Sequence, residues 1–471
     1  MATRRRQGPG AGGRPMTTDV ARRSSPLWVI GGVTGLSIFA AVAGLAPLVF
    51  PDQPSFEAAT IGGGAVAAAL CIGGRQRSWY SPLYVLAVAW TLVGVINPLL
   101  AGLQDRYSSW VLGVNVTASL VAAALLGGVG VCAMAFGMRV SLHQPASIAR
   151  LQEFRLYPAG GPMTELFLVL IYLIATALLI QQVGFGTLLS WRSDPSRQVL
   201  SDTSNYLIYT GYFLIVPALA RLMRASSLIS TTALIGWLML LLSQLIAILS
   251  GSRIAVIPCL LSVFIVLSLR HKHSSRATLA VLLVAVLGVA IGFRVWRQSS
   301  DVVQASLGQN SISYIAVDVF AGQDTAMLGN FAVVVQAGSY ARADFPGEAY
   351  LISLVRPIPR ELWASKPQTL DQQLNALLLP VQYQQGYGFS FTCFAEALYN
   401  GGLLGVILVS FLLGLCWGWV YWRLLAPSSP RHLLLAVAVI PLLIVILRGS
   451  VSADYPQLVL TALPVLFYRG S

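Results

Sequence analysis

The chain has 471 residues, of which 56% are hydrophobic and only 10% are charged, and its mean hydropathy is +0.73. A single soluble core cannot enclose so much apolar surface, so the composition excludes an ordinary soluble globular protein and predicts an all-α protein that crosses a membrane many times. We attribute the net charge of +13 to the way that Lys and Arg are distributed around membrane spans, and we expect no nucleic-acid partner.

The amino-terminal segment 1–26 is rich in Gly, Pro and Arg and has no apolar face, which predicts a disordered basic cytoplasmic tail. From Pro26 the sequence becomes apolar over a stretch that is too long for a signal-peptide core and lacks a convincing cleavage site. We therefore predict that this stretch stays in the membrane as a span. The five cysteines show no paired spacing, which predicts neither a disulfide framework nor a metal site.

Apolar runs long enough to cross a bilayer as helices recur about twelve times along the chain. They cover 27–50, 57–74, 82–102, 110–138, 163–183, 205–223, 228–249, 253–270, 277–296, 402–422, 432–448 and 455–469. The last run is short and contains Pro464. The predicted organisation is therefore nine spans within 27–297, a large extracytoplasmic loop over 298–401, and three spans within 402–471.

The charge distribution supports this arrangement. With the amino-terminal tail inside, 19 of the 30 Lys and Arg residues and only three acidic residues fall on one side of the membrane. The other side holds 11 basic and 14 acidic residues. Because Lys and Arg collect on the cytoplasmic side, we predict that both termini are cytoplasmic. The loop 298–401 is too long for a structureless connection and is expected to form short helices lying on the membrane.

The histidines argue against metal or histidine chemistry on the outer face. All four fall on the predicted cytoplasmic side beside arginines, as is typical of basic residues that contact anionic lipid. They are His143, His271, His273 and His432. We therefore predict no metal site and no cofactor.

Arginines on the predicted outer face run against the positive-inside trend and form the first group of candidate site residues. They and one lysine are Arg192, Arg197, Arg253, Arg294, Arg297, Arg356, Arg360, Lys366 and Arg448. A guanidinium binds phosphate in a bidentate manner and stays charged when partly buried, which suits a pyrophosphate at the lipid boundary. The alternative for each residue is an ion pair with a nearby carboxylate or a side chain that reaches the headgroups.

Two of these arginines stand at breaks between apolar runs. Arg253 follows the Ser-Gly-Ser segment 250–252 and begins a helix, where backbone N–H groups and the helix dipole favour an anion. Arg448 ends one run and is followed by a Gly-Ser break. We expect both to contact substrate phosphate.

Proton transfer on the outer face has only carboxylates to rely on. Glu396 lies in the apolar and aromatic segment FSFTCFAEALYNGG, where burial would raise the pKa of its side chain toward the range of a general base. Its alternative is a structural role as a helix cap or an arginine partner, and Asp194 and Asp454 are weaker candidates. Flat faces on which sugar rings stack, or which anchor the loop at the interface, are offered by Tyr387, Tyr383, Phe389 and Trp363.

Three stretches resemble the Wzy-type polymerases, which join the oligosaccharide repeat units of bacterial O-antigen, capsule and exopolysaccharide. The stretches are LSGSRIAVIPCLLSVFIVLSLRHKH, RPIPRELWASKPQTL and FSFTCFAEALYNGGLLGVILVSFLLG. The many-span layout with a large late outer loop agrees with the resemblance, which implies a metal-independent glycosyltransferase of the C-type class. On the matching elements it implies roles for Arg253, for Arg360 with Lys366, and for Glu396.

The resemblance implies a reaction and a location. An undecaprenyl-pyrophosphate-linked glycan donor is transferred onto the non-reducing end of a second lipid-linked repeat unit, the acceptor, and undecaprenyl pyrophosphate leaves. The expected location is the bacterial inner membrane, with the active face extracytoplasmic, membrane lipid as a further partner and a chain-length regulator as a candidate one. Arginines would neutralise the leaving pyrophosphate while a carboxylate accepts the proton.

Three other functions stay open at this point. A related ligase that transfers finished glycan to lipid A or protein would share the chemistry and topology. A flippase or transporter of lipid-linked glycan would have charged residues within its spans and paired halves, whereas the spans here hold almost no charge and the halves are dissimilar. A structural or scaffolding membrane protein is the third alternative.

Overall fold

The computed structural model describes most of the chain and leaves defined gaps. The described residues are 27–74, 79–103, 115–142, 161–186, 207, 209–249, 253–270, 320, 325–355, 358, 362–363, 365–384, 389–425 and 429–468, with a few isolated positions between 281 and 292. Within these ranges the regular structure is entirely helical.

Five helices form the amino-terminal part. They are α1 (Leu27–Val49), α2 (Pro54–Gly73), α3 (Pro82–Thr91), α4 (Asn97–Leu103) and α5 (Thr117–Ser141). A π-helical turn joins α3 to α4, so that these two helices form one continuous apolar helical segment over Pro82–Leu103. Ser81 caps α3, since its Oγ accepts the N–H of Tyr84 at 3.3 Å.

Four helices with defined bounds follow in the described middle part of the chain. They are α6 (Pro162–Val183), α7 (Ile215–Arg224), α8 (Thr231–Leu249) and α9 (Arg253–Arg270). A 3₁₀ turn, Thr210–Leu214, leads directly into α7.

The segment predicted as the large outer loop does contain short helices. They are α10 (Met327–Ala337), α11 (Glu348–Val355), α12 (Leu370–Leu378) and α13 (Pro380–Gln384). One of them differs from the expectation of helices lying on the membrane, because residues 327–334 of α10 are all buried and pack against α5. A helix that is buried on every side over two successive turns cannot lie on a membrane surface with one face in water.

The last four helices carry the carboxyl-terminal spans. They are α14 (Cys393–Leu425), α15 (Pro430–Val439), α16 (Leu443–Arg448) and α17 (Val451–Ala462). The φ and ψ angles of Gly401 and Gly402 are not helical, so α14 is broken there. The break coincides with the predicted start of the tenth span, and eight residues of helix precede it.

The chain is a polytopic membrane protein. In the described part, eight helical segments are long and apolar enough to cross a membrane, and two shorter apolar helices, Val256–Arg270 and Val451–Phe467, accompany them. The predicted span 277–296 lies almost wholly outside the described residues. The number of twelve spans therefore stays a prediction.

Helices α5 and α14 run in parallel at backbone contact. A Cβ on Gly137 of α5 would collide with the carbonyl of Phe411, and a Cβ on Gly414 of α14 would collide with the carbonyl of Met134. Glycine is therefore needed at both positions if the two backbones are to lie this close. Because α14 also carries Glu396, this packing fixes the candidate base relative to the amino-terminal helices.

Helix ends that the charge pattern assigned to one side of the membrane lie together. Glu165, in the first turn of α6, forms ion pairs with Arg221 and Arg224 at the end of α7. The guanidinium of Arg270, at the end of α9, donates to the backbone carbonyl of Leu222 in α7 at 2.5 Å. The ends of three helices are thus bonded to one another.

Two further bonds join ends that were assigned to this same side. Arg431, at the start of α15, donates to the backbone carbonyl of Tyr468, which follows α17. Arg139, at the end of α5, donates to the carbonyl of Gly73 at the end of α2 at 3.3 Å. These contacts bring the helix ends together, and the side of the membrane on which they lie stays a prediction.

Candidate functional site

The site is built around the turn between α16 and α17. Ser450 caps α17, since its Oγ accepts the N–H of Ala453 at 3.1 Å. Gly449 precedes it, and a Cβ at this position would collide with the carboxylate of Asp454. The glycine therefore allows Asp454 to lie against the backbone of the turn, only a few residues from Arg448, which ends α16.

Glu396 binds the start of α17 from a different helix. Its Oε2 accepts the N–H of Val451 at 2.6 Å, and its Oε1 accepts the N–H of Ser452 at 3.0 Å. The first turn of a helix leaves its N–H groups without intrahelical partners, and its positive dipole end favours a negative charge. The side chain is fully buried, with 0% of its surface exposed. Glu396 therefore acts as a cap for α17.

Three charged residues beside this cap form what we name the Arg448 cluster: Arg448, Asp371 and Asp454. Both carboxylates lie close enough to the Arg448 guanidinium to interact with its charge. The hydroxyl of Ser450 donates to Oδ2 of Asp371 at 3.5 Å, which brings α12 to the same turn. All three members are partly exposed, in contrast to the buried Glu396.

A buried asparagine holds α12 in this position. Asn375 donates from Nδ2 to the carbonyl of Asp371 at 2.6 Å and to the carbonyl of Phe389 at 2.9 Å. Its Oδ1 accepts the N–H of Phe389 at 3.0 Å. Because the side chain bonds both backbone groups of Phe389, it fixes the segment just before α14 as well as the helix that carries Asp371.

A second buried asparagine attaches α11. Asn400 donates to the carbonyl of Glu396 at 2.9 Å, and its Oδ1 accepts the N–H of Ala349 at 2.9 Å. One turn further along α11, the hydroxyl of Tyr455 in α17 donates to the carbonyl of Ser353 at 2.6 Å. Helix α11 is thus bonded to both α14 and α17, and it covers the junction between them.

Tyr350 of α11 lies beside the buried carboxylate. Burial raises the pKa of its phenol well above the ordinary value, and the nearby charge of Glu396 raises this pKa further. The phenol therefore stays protonated at any physiological pH. Tyr350 is therefore a neutral neighbour of Glu396 and does not act as a second proton acceptor.

The structure places only some of the predicted site residues. Glu396 and the turn that carries Arg448 are brought together, as an outer-face pocket requires. Lys366 lies in the segment before α12, where its Nζ donates to the carbonyl of Ile358 at 2.8 Å. Arg253 begins α9, but its side chain lies outside the described residues. The others outside the described residues are Arg192, Arg197, Arg294, Arg297, Arg356, Arg360 and Tyr387.

Sequence reasoning missed the two asparagines and did not single out Asp371, which is one of the outer-face carboxylates available for proton transfer. One signal was available, since Thr369 and Gln372 form a capping box whose spacing is visible in the sequence and marks the start of α12. No sequence pattern indicated that Asn375 and Asn400 would bond backbone groups of other segments.

Comparison with known proteins adds one finding. The family described as O-antigen polysaccharide polymerase Wzy matches residues 163–469, which is well over half of the chain. The match begins at α6 and includes Glu396, Asp371 and the turn between α16 and α17. No curated protein and no solved structure matches the chain.

Proposed function

Because the chain belongs to the O-antigen polysaccharide polymerase Wzy family, we propose that it polymerises undecaprenyl-pyrophosphate-linked oligosaccharide repeat units into a surface polysaccharide. The product is O-antigen, capsule or exopolysaccharide. Both substrates are lipid-linked: one is the donor of the growing glycan and the other is the acceptor repeat unit. The family supplies the polymerase activity, and the carrier and the polymer type are our extension of it.

The observation that carries this proposal is the Arg448 cluster. A pyrophosphate leaving group gains negative charge as its bond to the sugar breaks, and a preformed guanidinium stabilises that charge. Arg448 stands at a helix end, partly exposed and next to two carboxylates. A cation for the leaving group and a proton acceptor for the nucleophile thus lie at one turn of the chain.

The chemistry is a substitution at the anomeric carbon of the donor. A hydroxyl oxygen of the acceptor sugar forms the new bond to that carbon, and the bond from the carbon to the pyrophosphate oxygen breaks. Undecaprenyl pyrophosphate leaves with the bonding electrons, and the hydroxyl proton passes to a carboxylate. The candidate acceptors of this proton are Glu396, Asp371 and Asp454.

The other predicted residues extend the phosphate site. We propose that Arg253 and Arg360 also stabilise the leaving pyrophosphate. Contacts to the donor and acceptor are assigned to Arg192, Arg197, Arg356, Lys366 and Tyr387. The proposed location is the inner membrane with both termini cytoplasmic and the site on the extracytoplasmic face, and the bonds among positively charged helix ends on the opposite side support this orientation.

An assay of purified protein in lipid nanodiscs tests the proposal. The substrate is the lipid-linked repeat unit extracted from cells in which the gene is deleted, and the products are the polymer ladder and free undecaprenyl pyrophosphate. We expect Arg448→Ala to lower polymer formation at least tenfold, because the leaving charge loses its guanidinium. The matched control is Arg342→Ala, which removes an exposed arginine outside the cluster. Wild-type rates in Arg448→Ala would remove the basis of the site assignment.

The same assay separates the alternatives. A flippase or transporter forms no glycosidic bond, so no ladder and no free carrier pyrophosphate would appear. A ligase would release the carrier only when lipid A or another terminal acceptor is supplied.

A further inference from the structure

Burial separates the three candidate proton acceptors. A general base must come within hydrogen-bond distance of the acceptor hydroxyl. Glu396 is fully buried, and both of its oxygens already accept backbone N–H groups. Asp371 and Asp454 are partly exposed, and each accepts a long side-chain hydrogen bond, Asp371 from Ser450 at 3.5 Å and Asp454 from Gln457 at 3.4 Å. The geometry therefore gives the substrate access to the two aspartates and gives Glu396 a different task.

We propose that Glu396 is a positioning residue, which holds the first turn of α17 so that Arg448 and Asp454 face the same substrate, and that Asp454 accepts the proton. This inference rests on the proposed polymerase function and assigns the roles within its site. It replaces the general-base role that the sequence suggested for Glu396.

The bonds in the turn show how the positioning works. Arg448 and Asp454 stand on either side of the five residues 449–453, so their relative orientation depends on the path of that backbone. Glu396 fixes Val451 and Ser452 within this segment, and the Ser450 cap fixes the turn internally at Ala453. The path of this backbone is rigid because the Val451 and Ser452 amides both donate to the Glu396 carboxylate. Glu396 belongs to α14, which packs against α5.

The ionisable groups around Glu396 come from three elements. Asp454 belongs to α17, Tyr350 to α11, and Cys393 to the same first turn of α14. Asp454 is the one among them that is also a member of the Arg448 cluster, and it interacts with the charges of Arg448 and Glu396 and with Tyr212 of the turn before α7. A pH profile of the reaction should therefore follow Asp454, even though Glu396 lies close by.

A proline substitution removes one of the two bonds without touching Glu396. Val451 is the first residue of α17, where a helix accepts proline, and Ser450 before it has φ −127° and ψ 153°, which proline requires of its predecessor. Val451→Pro therefore deletes the N–H that donates to Oε2. Val451→Ala removes most of the same side chain and keeps the N–H, so it is the matched control.

We expect Val451→Pro to turn over about tenfold more slowly than Val451→Ala in the nanodisc assay, since a hydrogen bond to a charged group is lost. Equal rates in the two variants would overturn the positioning role. Thermal unfolding of both variants shows whether each is folded. Wild-type protein that makes no polymer would instead contradict the proposed function itself.

The pH profile supplies a second measurement that does not depend on how much protein is active. In Glu396→Gln we expect a reduced rate that still falls at acid pH, because the titrating base remains. In Asp454→Asn we expect the acid limb to disappear together with most of the rate. If the acid limb disappears in Glu396→Gln and persists in Asp454→Asn, then Glu396 is the base and our assignment is wrong.

Discussion

The break in α14 allows the site to be perturbed without changing any of its side chains. Gly402 has φ 62° and ψ −152°, a conformation that is essentially restricted to glycine, and Gly401 before it has a negative φ of −157°. Placing a side chain at Gly402 costs about 1–3 kcal/mol if the backbone keeps this conformation. The chain avoids that strain only by straightening the helix.

Straightening would displace Glu396. The carboxylate lies six residues before Gly402, which is about 9 Å along a helix. Its bonds of 2.6 and 3.0 Å to α17 do not survive a displacement of about 1 Å or more. If the backbone keeps its conformation at Gly402, the strain lowers the stability of the protein. If the helix straightens instead, Glu396 is displaced and activity falls. A free energy of about 1–3 kcal/mol corresponds to about a 5- to 150-fold decrease in the population of the active conformation.

The comparison of Gly402→Ala with Gly401→Ala tests the effect of the positive φ at Gly402, because φ at Gly401 is negative. A Cβ at either position meets no atom within 4 Å, so neither variant introduces a collision. We expect Gly402→Ala to lower the melting temperature or the polymerisation rate clearly more than Gly401→Ala does, in thermal unfolding and in the nanodisc assay. Should Gly402→Ala match the wild type in both measurements, the break would not be what places Glu396.

Two further predictions concern the scaffold. Glu165→Gln should lower the melting temperature, because its 3% exposed side chain pairs with two arginines. Breaking a buried pair costs about 3–5 kcal/mol, and partial exposure of the arginines reduces this to about 1–3 kcal/mol; an unchanged melting temperature would contradict the role of the pair. Gly414→Ala should destabilise the protein, because its Cβ collides with the carbonyl of Met134, whereas Gly63→Ala, whose Cβ meets nothing within 4 Å, should not. Similar melting temperatures for the two glycine variants would show that close packing of α5 and α14 is dispensable.

The long apolar helices were predictable from the sequence alone. The run 253–270 coincides with α9, and 163–183 differs from α6 by a single residue at its start. A bilayer sets both the length and the composition of such helices, so the signal is contained in each segment by itself. The side of the membrane on which Arg221 and Arg270 lie stays a prediction, because charge asymmetry in short connecting segments is its only basis.

The partners of Glu396 were not predictable in this way. Burial was expected from its apolar neighbours, and a cap was one of the open alternatives. The groups that it caps are backbone amides of Val451 and Ser452, more than fifty residues further along the chain. Every residue type has a backbone N–H, so no side-chain pattern could indicate these two. The burial of α10 was likewise decided by the surrounding helices rather than by its own 11 residues.

The two breaks in the late helices explain why the site lies where it does. Irregular backbone near a membrane is tolerated only where other parts of the protein satisfy its polar groups. The α16–α17 turn exposes amides that α17 cannot bond internally, and the break at Gly402 separates Glu396 from the long span so that its carboxylate can reach them. The hydrogen bonds from these amides to Glu396 therefore also fix Arg448 and Asp454 at the two ends of the α16–α17 turn. In such a site, stability and catalytic geometry depend on the same two hydrogen bonds. For this reason the loss of a single N–H at Val451 is more informative than removal of the glutamate, which would disturb both at once.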